Sequence, residues 1–316
     1  MKKILLSALV LTSLFSCTKE ENSSANESSA LAHRGCASHE VHMEQMRQNP
    51  ELAITMNEIE TFTEKAMREG RLVNGKIQIP VVVNVLYRTT AENISQAQIQ
   101  SQIDVLNKDF NALNSDFNKV PSAFSAVKAN VGISFVLDAV YRKSTTKTSW
   151  GTADAMKKST QGGMNPTSPT TKLNLWVCTI GGGILGYAQF PGGSSSTDGV
   201  VIDSKYFGTT GTATYPFNLG RTATHEVGHW MNLRHIWGDA TCGNDYVSDT
   251  PLHNAPNYGV PAAGHRSTCT GTPLEMYMNY MDYTDDRGMF MFSNAQKSRM
   301  LAIFATGGAR NSFAQP

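Results

Sequence analysis

His225 and His229 lie four residues apart. On a helix they project from one face, one turn above the other. Two imidazoles in that relation can grip one metal ion. Glu226 is next to the first of them, placed to reach a water on that metal. A third histidine, His235, follows six residues after His229. Six residues turn a helix through about 240°, at roughly 100° per residue. The helix must therefore end between them if His235 is to face the same ion. Asn232 falls at the break, and asparagine ranks next to glycine in tolerating a left-handed backbone. Three neutral imidazoles would leave a zinc ion its charge and one open position for water. A carboxylate beside that water could take its proton and pass it on. The competing explanation is a buried helix whose histidines recur by chance. Chance produces the H-E-x-x-H pair often, and the three-histidine spacing far more rarely.

A second stretch, Met278-Asn279-Tyr280-Met281-Asp282-Tyr283, lies downstream. The metzincin pattern H-E-x-x-H-x-x-G-x-x-H, with a methionine turn further along, matches these two segments except that Asn232 replaces the glycine. Together they resemble the pappalysin family of metzincins, its bacterial members in particular, over the chain from about Lys76 to about Phe304. The resemblance implies an α+β fold with two parts. A twisted mixed sheet on two long helices would form the upper one, and irregular loops the lower. It also implies a zinc endopeptidase with Glu226 as general base. Met281 would be an apolar floor under the metal, and the Tyr283 phenol would stabilise the tetrahedral intermediate. Ordinary packing would equally account for Tyr283.

At 316 residues the chain can hold one large or two small domains. Charged residues make up 17% and the formal net charge is +1, so no basic field points to nucleic acid or a membrane surface. The 26 glycines suit a loop-rich exported enzyme better than a helical bundle. Residues 1–17 have the order of an export signal. Lys2 and Lys3 precede an apolar run, Ile4 to Phe15, too short to span a bilayer. The run ends Leu14-Phe15-Ser16-Cys17, which resembles a lipoprotein signal whose Cys17 would be lipidated and anchor the chain to a bacterial outer surface. A plain secretory signal cut near Ser16 is the alternative. Lys19-Glu20-Glu21 resembles a surface-export tag, and three charged residues are also a common accident. Residues 18–30 are rich in Ser, Asn and Glu and read as a tether.

Residues 18–71 as a whole are expected to be tether plus inhibitory propeptide, and residues 72–316 the catalytic domain. Glu51 to Arg68 carries Leu52, Ile54, Met56, Ile59, Phe62, Ala66 and Met67 at roughly helical spacing, and Gly70 stops the helix. Upstream of it is His33-Arg34-Gly35-Cys36. A thiolate is a good zinc ligand, so Cys36 could fill the open metal position and hold the enzyme latent. Arg-Gly-Cys resembles the core of such a cysteine switch in metzincin zymogens. A spare cysteine, or a disulfide to Cys178, is the bland alternative. His33, His39 and His42 are expected to be solvated and not ligands. Arg68-Glu69-Gly70-Arg71 is a plausible processing site, leaving a mature enzyme that begins near Leu72.

From Lys76 the pattern changes. Ile77 to Tyr87 is a β-branched strand. Ser95 caps a helix with Ile99, Ile103, Leu106 and Phe110 on one face. Further strands are expected over Val131–Tyr141, Leu173–Ile180 and Val200–Asp203. Gly181 to Pro191 corresponds in the family to the edge strand above the cleft. An unpaired edge can take up an extended peptide, although a glycine turn without a ligand fits too. Lys205 to Leu219 is a long polar loop. The resemblance supports a Cys242–Cys269 disulfide in the lower part, leaving Cys178 a buried free thiol. The family binds calcium near Gly243–Pro251. That makes Asp249 and Thr250 candidate ligands with Asp245 behind them, though Asx turns would explain the same residues. Asp285 and Asp286 could favour a basic residue just after the scissile bond, as in bacterial relatives, or be a solvated acidic turn. Ser293 to Phe304 closes the chain as an amphipathic helix. Protein or peptide substrates and a monomer are expected, with any membrane contact through Cys17 alone. Two other functions fit less well: a zinc-binding surface adhesin without catalysis, and a zinc amidase acting on cell-wall peptides.

Overall fold

The computed structural model describes residues 33–72 and 76–314. The export signal, Cys17 and the 18–30 tether lie outside the described residues. Two helices come first, α1 (Ser38–Gln48) and α2 (Glu51–Arg68). The apolar spacing anticipated α2 to the residue. It did not anticipate α1, which buries only Ser38, Val41 and His42 and so carries almost no apolar stripe. Gly70, at φ +64°, takes the left-handed position that ends α2.

Five strands then form one sheet in the order β2-β1-β3-β5-β4. They are β1 (Ile77–Tyr87), β2 (Ile133–Ser144), β3 (Leu173–Cys178), β4 (Gly186–Ala188) and β5 (Val200–Asp203). All neighbours are parallel except β4, which runs antiparallel to β5 at the sheet's end. The α+β expectation holds, with five helices and a mixed sheet among the described residues. The period of two is visible in the burial. Val81, Val83 and Val85 of β1, Leu175 and Val177 of β3, and Ile202 of β5 face one core. Leu86, Trp176, Cys178 and Val201 face another on the opposite side. Both faces are covered, so the strands read as continuous apolar runs.

β2 begins two residues later than the sequence suggested. Val131 and Gly132 both donate their N–H to the Phe110 carbonyl, which ties them to the end of α3 (Gln96–Phe110) and not to the sheet. Ser95 caps α3 by accepting from the Gln98 N–H. Gln98 and Gln102 in turn donate from α3 to the carbonyls of Phe207 and Gly220, fastening the 205–219 loop where it enters α4 (Arg221–Trp230). The lower part has little regular structure. Its anchors are the Cys242–Cys269 disulfide, implied by the family, and α5 (Asn294–Ala302), capped by Ser293 and Gln296. Cys36 and Cys178 are both free and buried, so the disulfide between them is excluded.

Candidate active site

α4 carries His225, Glu226 and His229, and every one of its residues is buried. Gly228 is required inside it, because a Cβ there would fall 2.5 Å from the Met281 sulfur. That contact places the methionine directly against the helix. The helix stops where the spacing demanded. Asn232 is left-handed at φ +72°. Its N–H bonds the His229 carbonyl, and the Leu233 N–H bonds the Gly228 carbonyl, the paired closure of a helix end. The chain then doubles back and delivers His235.

The three Nε2 atoms converge. His229 Nε2 lies 3.2 Å from that of His225 and 3.0 Å from that of His235. Each Nδ1 faces an acceptor: the Tyr280 carbonyl at 2.6 Å, the Leu233 carbonyl at 2.8 Å, and the Asp239 carboxylate. Acceptors there put each ring's proton on Nδ1, so three lone pairs point at one another. Burial holds His225 and His229 well below the usual imidazole range, so they do not relieve this by protonation. A cation would. Tetrahedral zinc–nitrogen bonds of about 2.0–2.1 Å put ligand nitrogens about 3.3 Å apart, close to what is seen. The residues fit zinc.

Cys36 completes the group: its sulfur and the three imidazoles bring ligand atoms within 4.8 Å of one another. The segment carrying it is bound as a short strand, parallel to β4. Leu185 donates to the Gly35 carbonyl at 2.8 Å and Ala37 donates to the Gly186 carbonyl at 3.1 Å. The β4 edge is thus occupied. Glu226 is held from the same side. Its Oε2 accepts from the Cys36 thiol at 3.3 Å and from the Ser38 hydroxyl at 2.8 Å. Burial lifts Glu226 to about 7, against the pull of the Ser38 and Cys36 hydrogen bonds and of Arg34. The Tyr283 hydroxyl donates to the Cys36 carbonyl at 3.1 Å, and burial keeps the phenol protonated.

Arg34 fills a separate pocket. It donates to Asp286 Oδ1 at 2.6 Å, Thr222 Oγ1 at 3.2 Å and the Thr284 carbonyl at 3.3 Å, and its guanidinium lies 4.9 Å from the Phe217 ring. The other Asp286 oxygen accepts the Leu219 and Arg221 N–H groups. Of the acidic pair, Asp286 makes the contact and Asp285 does not.

The family profile described as pregnancy-associated plasma protein-A matches residues 176–305. Extracellular metalloprotease 1 of Coccidioides posadasii is 33% identical over 72% of this chain and 78% of its own length. An extracellular metalloprotease of Pyricularia oryzae is 35% identical over 72% of this chain and 75% of its own. A promirolysin mutant from Tannerella forsythia is 41% identical and covers 89% of this chain and 97% of its own, with a TM-score of 0.80. The chain belongs to the pappalysin family of metzincin zinc metalloproteases. Mature mirolysin in complex with a cleaved peptide is 44% identical, covers 77% of this chain and 97% of its own, and has a TM-score of 0.74.

Other pappalysin residues that the sequence singled out lie elsewhere. Asp249 caps α5, accepting from Ser293 Oγ at 2.6 Å and the Ala295 N–H at 2.9 Å. Asp245 accepts from the Val247 N–H at 3.0 Å and Thr250 Oγ1 at 2.8 Å. The expectation that all three upstream histidines are solvated is corrected. His33 is exposed against Tyr258, but His42 is 2% exposed and packs on Phe190. His39 reaches Asp239 at 3.3 Å. Ser38, Thr222 and Asp239 also went unread. Only Asp239 carried a signal, as a carboxylate four residues after a candidate ligand.

Proposed function

We propose that this pappalysin is an exported zinc endopeptidase made as a latent precursor. Residues 18–71 are its tether and inhibitory prosegment, and the mature enzyme begins near Leu72. The observation that carries this is the convergence of Cys36 on the three histidines while Ser38 and the same thiol hold Glu226. Export agrees with the relatives, which are named extracellular metalloproteases. Arg71 and Glu69 are exposed beside the end of α2, where a processing enzyme can reach. Lipidation of Cys17 would tether the enzyme to the cell surface, and we expect a monomer.

His225, His229 and His235 would hold the zinc, and Cys36 would be a fourth ligand in the precursor. Zinc, when bound, supplies a Lewis acid to the attacking water and the scissile carbonyl. Glu226 takes the water's proton and delivers it to the leaving amine. A carboxylate beside the water can do both, taking the proton from one and passing it to the other. The Tyr283 hydroxyl, which donates to the Cys36 carbonyl in the precursor, donates instead to the oxyanion that develops on the substrate. The β4 edge, once Gly35–Ala37 leave it, takes an extended peptide by strand addition.

Asp286, Thr222 and Phe217 would then receive the side chain just after the scissile bond. The contacts of Arg34 support this: three separate acceptors meet the guanidinium, and an aromatic face covers it. A lysine offers one point charge to the same pocket, so arginine is preferred. A structural calcium near Asp245, Asp249 and Thr250 is part of the proposal. Burial lifts Asp245 to about 6, and a bound cation would offset that cost. Chelation should then lower the melting temperature and added calcium restore it; an unmoved transition refutes the ion.

The decisive experiment incubates residues 18–316 with zinc and calcium beside Glu226→Ala, and reads intact mass and N-terminal sequence. The wild type should trim itself near Arg68–Leu72 while the variant stays whole. If a wild-type chain pre-trimmed at that point cleaves no protein, the endopeptidase reading fails.

A further inference from the structure

The three histidines do not hold their Nδ1 protons alike. His225 and His229 give theirs to backbone carbonyls, which are neutral. His235 gives its proton to a carboxylate, Asp239 Oδ1. Asp239 reaches back four residues from a tight turn in which Gly238 and Asp239 are both left-handed, at φ +65° and φ +56°. The turn is braced by the Gly238 N–H on the His235 carbonyl at 2.8 Å and by the Gly243 N–H on the Trp237 carbonyl at 3.2 Å. Trp237 stacks flat on His235, with centroids 4.3 Å apart and planes 7° apart. One neighbour therefore fixes the ring by its face and the other by its edge. The other Asp239 oxygen lies 3.3 Å from His39 Nδ1.

We propose that Asp239 is the positioning residue of the third metal ligand. Its carboxylate fixes the tautomer and rotation of His235, raises the basicity of Nε2, and supplies negative charge to a centre whose imidazoles carry none. His225 and His229 need no such partner. They are locked by α4 itself, whereas His235 lies beyond the helix end on a loop. The inference rests on the reading of these histidines as zinc ligands.

The charge can be tested apart from the backbone. Asparagine tolerates the left-handed turn and still accepts from Nδ1–H, so Asp239→Asn removes the charge and little else. The measurement is the zinc dissociation constant by chelator competition on the full chain. A Glu226→Ala background prevents self-cleavage, and the melting temperature of the zinc-free protein is read alongside. Asp239→Asn should weaken zinc binding by about 10–100-fold, with the zinc-free melting temperature unchanged and the visible bands of the cobalt-substituted protein altered. Asp239→Glu keeps the charge and should recover part of the affinity. Two results would overturn the proposal: zinc binding by Asp239→Asn equal to the parent, or Asp239→Asn matching Asp239→Glu with both unstable before zinc is added. A parent chain that fails to bind one zinc would instead strike at the proposed function.

Discussion

The proposed prosegment grips the rest of the chain at its two ends by different means. Residues 34–38 touch it chiefly through polar atoms with specific partners. Arg34 goes to Asp286, the Cys36 thiol and Ser38 hydroxyl to Glu226, and the backbone to β4. α2 instead lays down an apolar face, with Leu52, Met56, Thr63 and Ala66 buried, and adds one ion pair, Glu60 with Arg299. Residues of the first kind can hardly be exchanged, because an unmatched buried donor or charge is costly. The second kind needs only bulk and one carboxylate. Latency should therefore reside in residues 34–38, and α2 should supply docking.

Cys36→Ala should have the largest effect on latency. It removes the proposed fourth metal ligand, so the lag before self-trimming should shorten by about tenfold or more, since ~1.4 kcal/mol is already tenfold. A variant that stays latent would show that the metal contact is not the lock. Arg34→Ala should act on stability instead. The pair it breaks has side chains 1% and 0% exposed, and Asp286 would keep only two backbone donors. Such a change costs about 3–5 kcal/mol. The precursor's thermal transition should fall while that of the mature enzyme is unmoved. Arg34→Lys should lie between. Equal transitions for Arg34→Ala and wild type would mean that the pocket is open to water.

What the sequence disclosed follows the same division. Motifs built from spacing survived translation into three dimensions: the helix pair of histidines, the left-handed Asn232 and the apolar stripe of α2. Each is local, and each depends on a periodicity that the chain itself imposes. The β-branched strands were legible because both faces of the sheet are buried. Contacts between residues far apart in sequence were not. Thr222 lies 188 residues from Arg34, and Ser38 the same distance from Glu226. Nothing in a hydroxyl announces such a partner. Choosing Asp286 over Asp285 likewise needed the 3₁₀ turn at Asp286–Gly288, which decides which carboxylate faces the pocket. His42 was misjudged because a polar residue in a polar stretch gives no sign that Phe190 will cover it.

Glu60→Gln probes the other end. Glu60 is 17% exposed at its side chain and binds both terminal nitrogens of Arg299, whose Nε donates to the Asn232 carbonyl at 2.8 Å. A hydrogen bond to a charged group is worth about 1.5–3 kcal/mol. Its loss should loosen α2 and speed cleavage between Arg68 and Leu72, as followed by intact mass. Uncut molecules should remain inactive. If uncut Glu60→Gln chains hydrolyse peptide as Cys36→Ala chains do, the division between lock and dock collapses.

The smallest effect is expected at Ile54, whose apolar side chain entered the helical pattern with the others but is 64% exposed. It lies on the outer face of α2, away from the Leu52–Met56–Ala66 stripe. An exposed position of this kind changes stability by within about 0.5 kcal/mol. Ile54→Ser should therefore leave both the precursor's melting temperature and its trimming rate where they were. Leu52→Ala, on the docked face at 5% exposure, should lower the first and raise the second. A marked loss at Ile54 would mean that α2 is covered on both sides in solution, and docking would then involve more than this chain's own catalytic domain.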